Sequence, residues 1–555
     1  MACLVTLAVP AALTFSPELL ASGVFRSGKP RLQADEKVLQ QRDGRSASIT
    51  VSQIPGGVRN LRTNGKSDGA TDPQSQTVTP DDRTVLLLGA LGLAHHPQAR
   101  HAAVIGLGTV LTSSVLLQAG ALESVETIEI EPQMLQAAQW FRPRNAALFD
   151  DPRSRIVIDD ARAHFARSSK RYDLIVSEPS NPWVSGVSSL FSMEFYERAA
   201  SRLAAGGMFV QWLQLYEASP QMVGSIIRAF ASAFPEFRVY GTNTADVVLV
   251  GRSDGPVAEL SPQALDVPGL RALLEPIGID SVAMLAAHDV GRGNFISLMF
   301  GWYGAPPNSD YFPYVDNRAA QDRFMGANSV GLQEMLLAPV PMLEFGPGAP
   351  AYLGQIQRAD AEMPKRLRDL ASGWHGQRFL RGQGLNAAQR GWIGNYMTDY
   401  ELTRGWLWNC QRLVRNDLWD SALLVAGEVN RALPSAQARA LWREVLDGPC
   451  RASLSARQIE WLELFSAVGG RDAAPTRDAA DRLLAQRRDL TPRQHEYALL
   501  AATAARIALG EREAARKLYD TERKAIDKSQ LGLPWFRYLG LALSAQANAP
   551  ANSKP

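Results

Sequence analysis

The stretch His101-Ala102-Ala103-Val104-Ile105-Gly106-Leu107-Gly108-Thr109 decides the fold: an apolar strand runs straight into a glycine turn and then a helical pattern. Three more strands follow, each delivering polar residues at its carboxyl end. Val125-Glu126-Thr127-Ile128-Glu129-Ile130-Glu131 closes on two carboxylates, and Arg155-Ile156-Val157-Ile158 closes on Asp159-Asp160. Tyr172-Asp173-Leu174-Ile175-Val176 runs into Ser177-Glu178-Pro179-Ser180-Asn181-Pro182. Strands alternating with helices imply an open, mostly parallel sheet, and such sheets bind ligands beyond the carboxyl ends of their strands.

The residue types at those ends suit a nucleotide-type ligand. Gly106 and Gly108 permit a tight turn and close approach of a ligand to a helix N-terminus. An acid ending the second strand, Glu129 with Glu131 beside it, suits ribose hydroxyls, because an ionised carboxylate only accepts hydrogen bonds. Asp160, next to Asp159, can accept from an adenine amino group. Glu178 stands where the reacting end of the ligand would lie.

Residues 101–251 resemble the polyamine aminopropyltransferases, the spermidine synthase family, which have a class I methyltransferase-like fold. Beyond the strand ends, the resemblance rests on Phe149-Asp150-Asp151-Pro152-Arg153, on Ser189-Leu190-Phe191-Ser192-Met193-Glu194-Phe195-Tyr196, and on Ala205-Gly206-Gly207-Met208-Phe209-Val210. It implies Glu129 on the ribose, Asp160 on the adenine, Glu178 as the base, and Gly106, Gly108 and Thr109 in the donor's glycine loop. On the acceptor side it implies Asn181 in the catalytic loop and Asp310 in Asn308-Ser309-Asp310-Tyr311-Phe312-Pro313-Tyr314, a segment that reads equally as a capped turn before a strand or helix. The donor would be decarboxylated S-adenosylmethionine and the acceptor a polyamine. Glu178-Pro179-Ser180-Asn181-Pro182-Trp183 is similar to the bacterial branch in which a membrane-spanning half precedes the synthase domain.

Several positions depart from the family. Thr109 stands where the glycine loop carries an acid for the donor's amine, and Val110 replaces a further glycine. The two loop aspartates read Glu178 and Asn181, and Asp82-Arg83-Thr84-Val85-Leu86 replaces a Tyr-His-Glu before the first strand.

Composition bounds the remaining choices. A chain of 555 residues with 46% hydrophobic content holds roughly two to four globular domains. A net charge of +2 leaves no footprint for nucleic acid. Cys3, Cys410 and Cys450 are far apart, which fits a reducing compartment and a chain without a disulfide framework. His95-His96 lacks further ligands at metal spacing, so no metal is expected. The apolar residues 1–15 are too short to span a bilayer, which needs about 20 residues, and they lack the basic start of a signal peptide. Residues 1–24 therefore read as a frayed start or as a remnant of a longer membrane protein. The expected location is cytoplasmic, with membrane association only through such a missing or vestigial segment.

In chain order, residues 25–83 read as a small β-subdomain whose hairpins turn at Asp43-Gly44 and Asn64-Gly65. Residues 68–80 read as a polar loop and 84–93 as a helix. The synthase-like domain spans 84–335. Trp212 and Tyr216, at the end of the fifth strand, either face an aliphatic acceptor or pack as ordinary strand residues. The Pro- and Gly-rich stretch 336–352 is a linker. Residues 353–545 are helical, with periodic segments at 417–433, 436–446, 456–468, 476–488, 491–509 and 511–527, and resemble a degenerate helical repeat. Residues 546–555 read as a disordered tail. The expected fold is thus α/β: a class I methyltransferase-like (Rossmann-like) sheet with a small N-terminal β-subdomain, followed by an all-α, helical-repeat-like region.

Three functional readings follow. The first is aminopropyl transfer from decarboxylated S-adenosylmethionine to a diamine such as putrescine, without a metal. The second is methyl transfer from S-adenosylmethionine itself. The third is a non-catalytic nucleotide-fold module whose C-terminal helices bind a protein partner. A homodimer is compatible with each.

Overall fold

The computed structural model describes residues 16–109, 111–184, 186–293, 296–297, 300, 303–345, 356, 363–411, 418–526 and 531–544. The readings made above for residues 1–15, Val110, residues 346–352 of the linker and the tail lie outside these residues. The chain forms two compact units. The first comprises residues 1–217, 225–280 and 306–325, and the second comprises 218–224, 281–305 and 326–555.

The first unit opens with an antiparallel meander of β1 (Lys37–Asp43), β2 (Ser48–Gln53), β3 (Arg59–Thr63) and β4 (Lys66–Thr71). Asn64 and Gly65 both have positive φ, which is what a two-residue hairpin turn matched to strand twist demands. β4 extends into the stretch expected to be a loop. The acids that open α1 (Pro80–His95) stabilise that extension: Asp81 accepts from the Ala70 amide at 2.7 Å and Asp82 from the Thr71 hydroxyl at 2.6 Å. Helix α1 begins four residues before the expected start, on a capping box formed by Thr79 and Asp82. Asp82 is fully buried and is neutralised by Arg144 at 3.0 Å.

The central sheet carries β5 (His101–Ile105), β6 (Ser124–Glu129), β7 (Ser154–Ile158), β8 (Tyr172–Ser177), β9 (Leu203–Gln214), β10 (Glu236–Gly241) and β11 (Asp246–Arg252). Its spatial order is β7-β6-β5-β8-β9-β11-β10, parallel from β7 to β9 and antiparallel at β11 and β10. Numbered within the sheet this is 3-2-1-4-5-7-6, the methyltransferase-like variant of the doubly wound fold. Successive strands run outward in opposite directions from β5 and β8, which places a crevice at the carboxyl ends of that pair. The central strands are buried on both faces and therefore read as continuous apolar runs. Helices α2 (Leu111–Leu116), α3 (Pro132–Ala138), α4 (Ala161–Arg167), α5 (Met193–Ala200) and α6 (Pro220–Ala233) complete the wound layers. The meander is anchored by Ile49, Val51 and Leu61, which share a core with Leu107, Met134, Ala137 and Phe141.

The second unit is helical. It carries α7 (Lys365–Leu380), α8 (Met397–Leu407), α9 (Leu418–Ala432), α10 (Ser435–Leu446), α11 (Ala456–Gly470), α12 (Ala473–Ala485), α13 (Pro492–Ala508) and α14 (Arg512–Glu522); α9 to α14 fall on the six expected segments, while α7 and α8 match none of them. Capping boxes at Ser455 and Thr491 start α11 and α13. An aromatic core of Trp442, Trp461, Phe465 and Tyr497 joins α10, α11 and α13. Among the described residues no helix is long and apolar enough to cross a membrane, so the implied membrane-spanning half has no counterpart there.

The cysteines correct one expectation. Cys410 and Cys450 form a disulfide with their Cα atoms 4.9 Å apart. They lie beyond the ends of α8 and α10, and the contact of Trp408 with Trp442 beside them brings those ends together. Spacing could not reveal the pair because it depends on how the two intervening helices fold back. The bridge spans 40 residues, a loop whose closure entropy is roughly 4 kcal/mol. Replacing Cys450 by Ser should lower the melting temperature of the helical unit. Reduction should reproduce that loss in the native chain and have no further effect on the variant.

Candidate functional site

A cavity of about 310 Å³ lies at the carboxyl ends of β5, β6, β7 and β8 and is covered by the meander. Its floor is the glycine turn. Gly106 has φ +94°, and a Cβ there would stand 2.3 Å from the Glu178 carbonyl oxygen, so only glycine lets β5 and β8 end this close together. Gly108, at φ +48°, also lines the cavity. Thr109 does not. It is buried, and its methyl group lies against β4, 3.1 Å from where a Cβ on Gly69 would sit.

Glu129 ends β6 with both carboxylate oxygens engaged, accepting from the amides of Leu107 at 2.9 Å and Glu131 at 2.8 Å. Burial raises its pKa, with Asp68 and Glu131 adding to the rise and the two amide bonds opposing it. The glycine turn thus fixes the orientation of the acid at the next strand end. Glu131 has a different task. It accepts from the Ser46 amide at 2.8 Å, the Ser46 hydroxyl at 2.9 Å and the Gln133 amide at 3.0 Å, so it caps α3 and ties down the β1–β2 turn. Burial pushes its pKa up, but these bonds outweigh burial and hold it below the usual value.

At the third strand end, Asp160 caps α4 through the Ala163 amide at 2.8 Å and lines the cavity. Asp159 lines it too, but its carboxylate is paired with Arg167, whose hydrogen bond depresses its pKa. At the fourth, Glu178 accepts from the Thr112 hydroxyl at 2.5 Å. Burial, reinforced by Asp81 and Asp246, pushes the Glu178 carboxyl up to about 7. Asp81 is pushed up to about 6, chiefly by burial. Asp246 is raised by burial although Asn243 donates to it at 2.9 Å and Thr84 at 3.1 Å.

The acceptor-side residues part company. Trp212 and Tyr216 line the cavity with the acids. Asn181 is fully buried beneath it and donates to the Tyr216 hydroxyl at 3.2 Å, so it orients a wall and is not itself part of the lining. Asp310 lies elsewhere. It is absent from the lining, pairs with Arg162 of α4, and its own amide donates to Glu194 at 2.9 Å. The segment expected to reach the acceptor therefore fastens α4 to α5. His95 is likewise enclosed, between the Ala258 carbonyl at 2.6 Å and the Tyr240 hydroxyl at 2.8 Å. Among the described residues no group of three or more His, Cys, Asp or Glu is placed to hold a metal.

Sequence reasoning missed Lys66 and Asp68 on β4, Asp81 on α1 and Asp246 on β11, all of which line the cavity. Each is an ordinary acid or base in its own segment, and only tertiary packing brings the four together. The one available signal was the Asp81-Asp82 pair just after Thr79-Pro80, a helix-start pattern with more acid than a cap requires.

Part of the chain is similar to known proteins. Residues 85–247 match the family described as the spermine/spermidine synthase domain. The chain is 27% identical over 148 residues to the polyamine aminopropyltransferase of Bacillus subtilis (strain 168), covering 27% of this chain and 53% of that protein. It is 33% identical over 119 residues to that of Escherichia coli O139:H28 (strain E24377A / ETEC), covering 21% and 41%. The chain thus spans about half the length of the curated relatives it matches. The spermidine synthase structure from Thermotoga maritima aligns with a TM-score of 0.36 at 19% identity, covering 41% of this chain and 78% of that one. Residues 85–247, which hold most of the central sheet of the first unit, are thus similar to the spermine/spermidine synthase domain.

Proposed function

We propose that the chain transfers an aminopropyl group from decarboxylated S-adenosylmethionine to a diamine of the putrescine type. The observation that carries this reading is a carboxyl poised near neutrality, Glu178, at the floor of a cavity walled by Asp81, Asp246, Trp212 and Tyr216. The acids attract and hold a cationic acceptor, and the aromatic walls cover its methylenes. Glu129 and Asp160 hold the ribose and adenine of the donor. The acceptor nitrogen attacks the methylene carbon beside the sulfonium. The C–N bond forms as the C–S bond breaks, the electron pair goes to sulfur, and neutral methylthioadenosine leaves. Glu178 takes the proton that the attacking amine must lose. Positioning two cations against each other accounts for most of the rate, and proton removal for the rest.

Methyl transfer would need no base for a primary ammonium and no acid-walled second pocket, so the cavity favours the first reading. The match of residues 85–247 to the synthase domain supports it at family level.

Two measurements test the proposal. Glu178→Gln should lower kcat by roughly 10²–10⁴ while donor affinity by calorimetry stays within about twofold of wild type. Unchanged turnover would remove Glu178 from the chemistry. The pH profile of kcat/KM should climb with unit slope and level off above about 7, the value at which Glu178 ionises.

Stability should show the opposite trend. The Glu178 carboxyl ionises at 4.5 in the unfolded chain and at about 7 in the folded one. Between these values the folded state holds the extra proton, so stability falls as pH rises through that window. Glu178→Gln abolishes this contribution, and the variant should melt above wild type at pH 8. A variant that melts below wild type there would contradict the burial assigned to this acid.

A further inference from the structure

Asp68 is an acid of the cavity whose own bonding is incomplete in a way that specifies a ligand. Its side chain is 9% exposed. Oδ1 accepts from Lys66 Nζ at 2.7 Å and from the Ser180 hydroxyl at 3.1 Å. Oδ2 is buried and has no hydrogen-bond partner among the described residues. A buried carboxylate oxygen without a donor is costly, and a cation arriving in the cavity relieves that cost.

Its place in the cavity says which cation. The charge of Asp68 is felt at Glu129, the ribose-side acid. Ser180, its other partner, belongs to the loop that carries Glu178. Gly69, the next residue along β4, packs on Thr109 of the glycine turn. Asp68 thus lies between the ribose end and the reacting end of the donor site, on the strand that covers the position where Thr109 supplies no charge.

We propose that Asp68 Oδ2 holds the primary ammonium of the donor's aminopropyl arm, the carboxylate coming from the covering sheet and not from the glycine turn. This rests on the aminopropyl-transfer reading above. Lys66 balances the charge of Asp68 in the empty cavity and gives way, in part, when the ammonium binds. The same pair sets donor choice, since a ligand bearing a single ammonium needs only Asp68.

The test is calorimetric titration of the full chain with decarboxylated S-adenosylmethionine and with methylthioadenosine, which shares the nucleoside but lacks the ammonium. Asp68→Asn should weaken the decarboxylated donor roughly tenfold or more and leave methylthioadenosine within about twofold. Lys66→Met should tighten the decarboxylated donor. Equal loss of both ligands would make Asp68 a structural support of the covering sheet and overturn the proposal, as would unchanged affinity for both. A rise confined to the diamine KM would overturn it too, by assigning Oδ2 to the acceptor's ammonium. Those three results leave aminopropyl transfer standing. Tight wild-type binding of S-adenosylmethionine, lost in Lys66→Met, would show that the pair reads an amino-acid zwitterion and would overturn both the proposal and the reading beneath it.

Discussion

The approach of two backbones, Gly106 at the end of β5 and Glu178 at the end of β8, sets the geometry of the first unit. The Glu178 amide donates to the Ile105 carbonyl at 2.9 Å, which continues the parallel ladder one residue past the strands. A side chain at position 106 would force those strand ends apart. Because they stay together, the next amide along the turn reaches Glu129 on the other side. One turn therefore orients the acids at two strand ends, and the crevice of the doubly wound sheet becomes a shaped cavity.

That cavity gathers charge that no single segment would tolerate. Asp68, Asp81, Glu178 and Asp246 come from β4, α1, the β8 loop and β11, and each is held by a strand or helix with a core of its own. Rigid supports are what allow acids to be kept close in a poorly solvated space, where burial raises the proton affinity of Asp81, Glu178 and Asp246 and neighbouring acids add to the rise at Asp81 and Glu178. Lys66 opposes part of that rise at Asp81 and Asp246. The thermodynamic tension is the feature that makes the site receptive to a cation, and the large core of the sheet sustains it.

Much of the fold was legible because its signals are local. Acid-tipped apolar strands, Asn64-Gly65 and the helical spacing beyond residue 417 each declare themselves within a short window. The donor half of the site was legible for the same reason: Gly106, Glu129, Asp160 and Glu178 sit at strand ends that a parallel sheet must bring to one edge. The acceptor half was not. Asp81 looked like a helix-start residue and is one, and its second role exists only because α1 ends up beside β11. Asp310 was misleading for a complementary reason, since an acid in a polar loop carries no sign of the arginine that will claim it. Cys410 and Cys450 show the same limit, as does β4, whose strand character comes from the acids of α1 more than from its own residues.

Glu131 has a consequence for the β1–β2 turn. Asp43-Gly44 reads as a hairpin glycine, yet Gly44 does not adopt a positive φ. A Cβ at that position would fall 2.1 Å from Glu131 Oε1. The residue is small because the carboxylate that caps α3 occupies the space, and turn geometry has little to do with it. Positions 44 and 131 are therefore a coupled pair in descent. A lineage that shortens the acid at 131 frees position 44 to drift, and one that enlarges position 44 must first give up the acid, so each should vary across relatives only in step with the other.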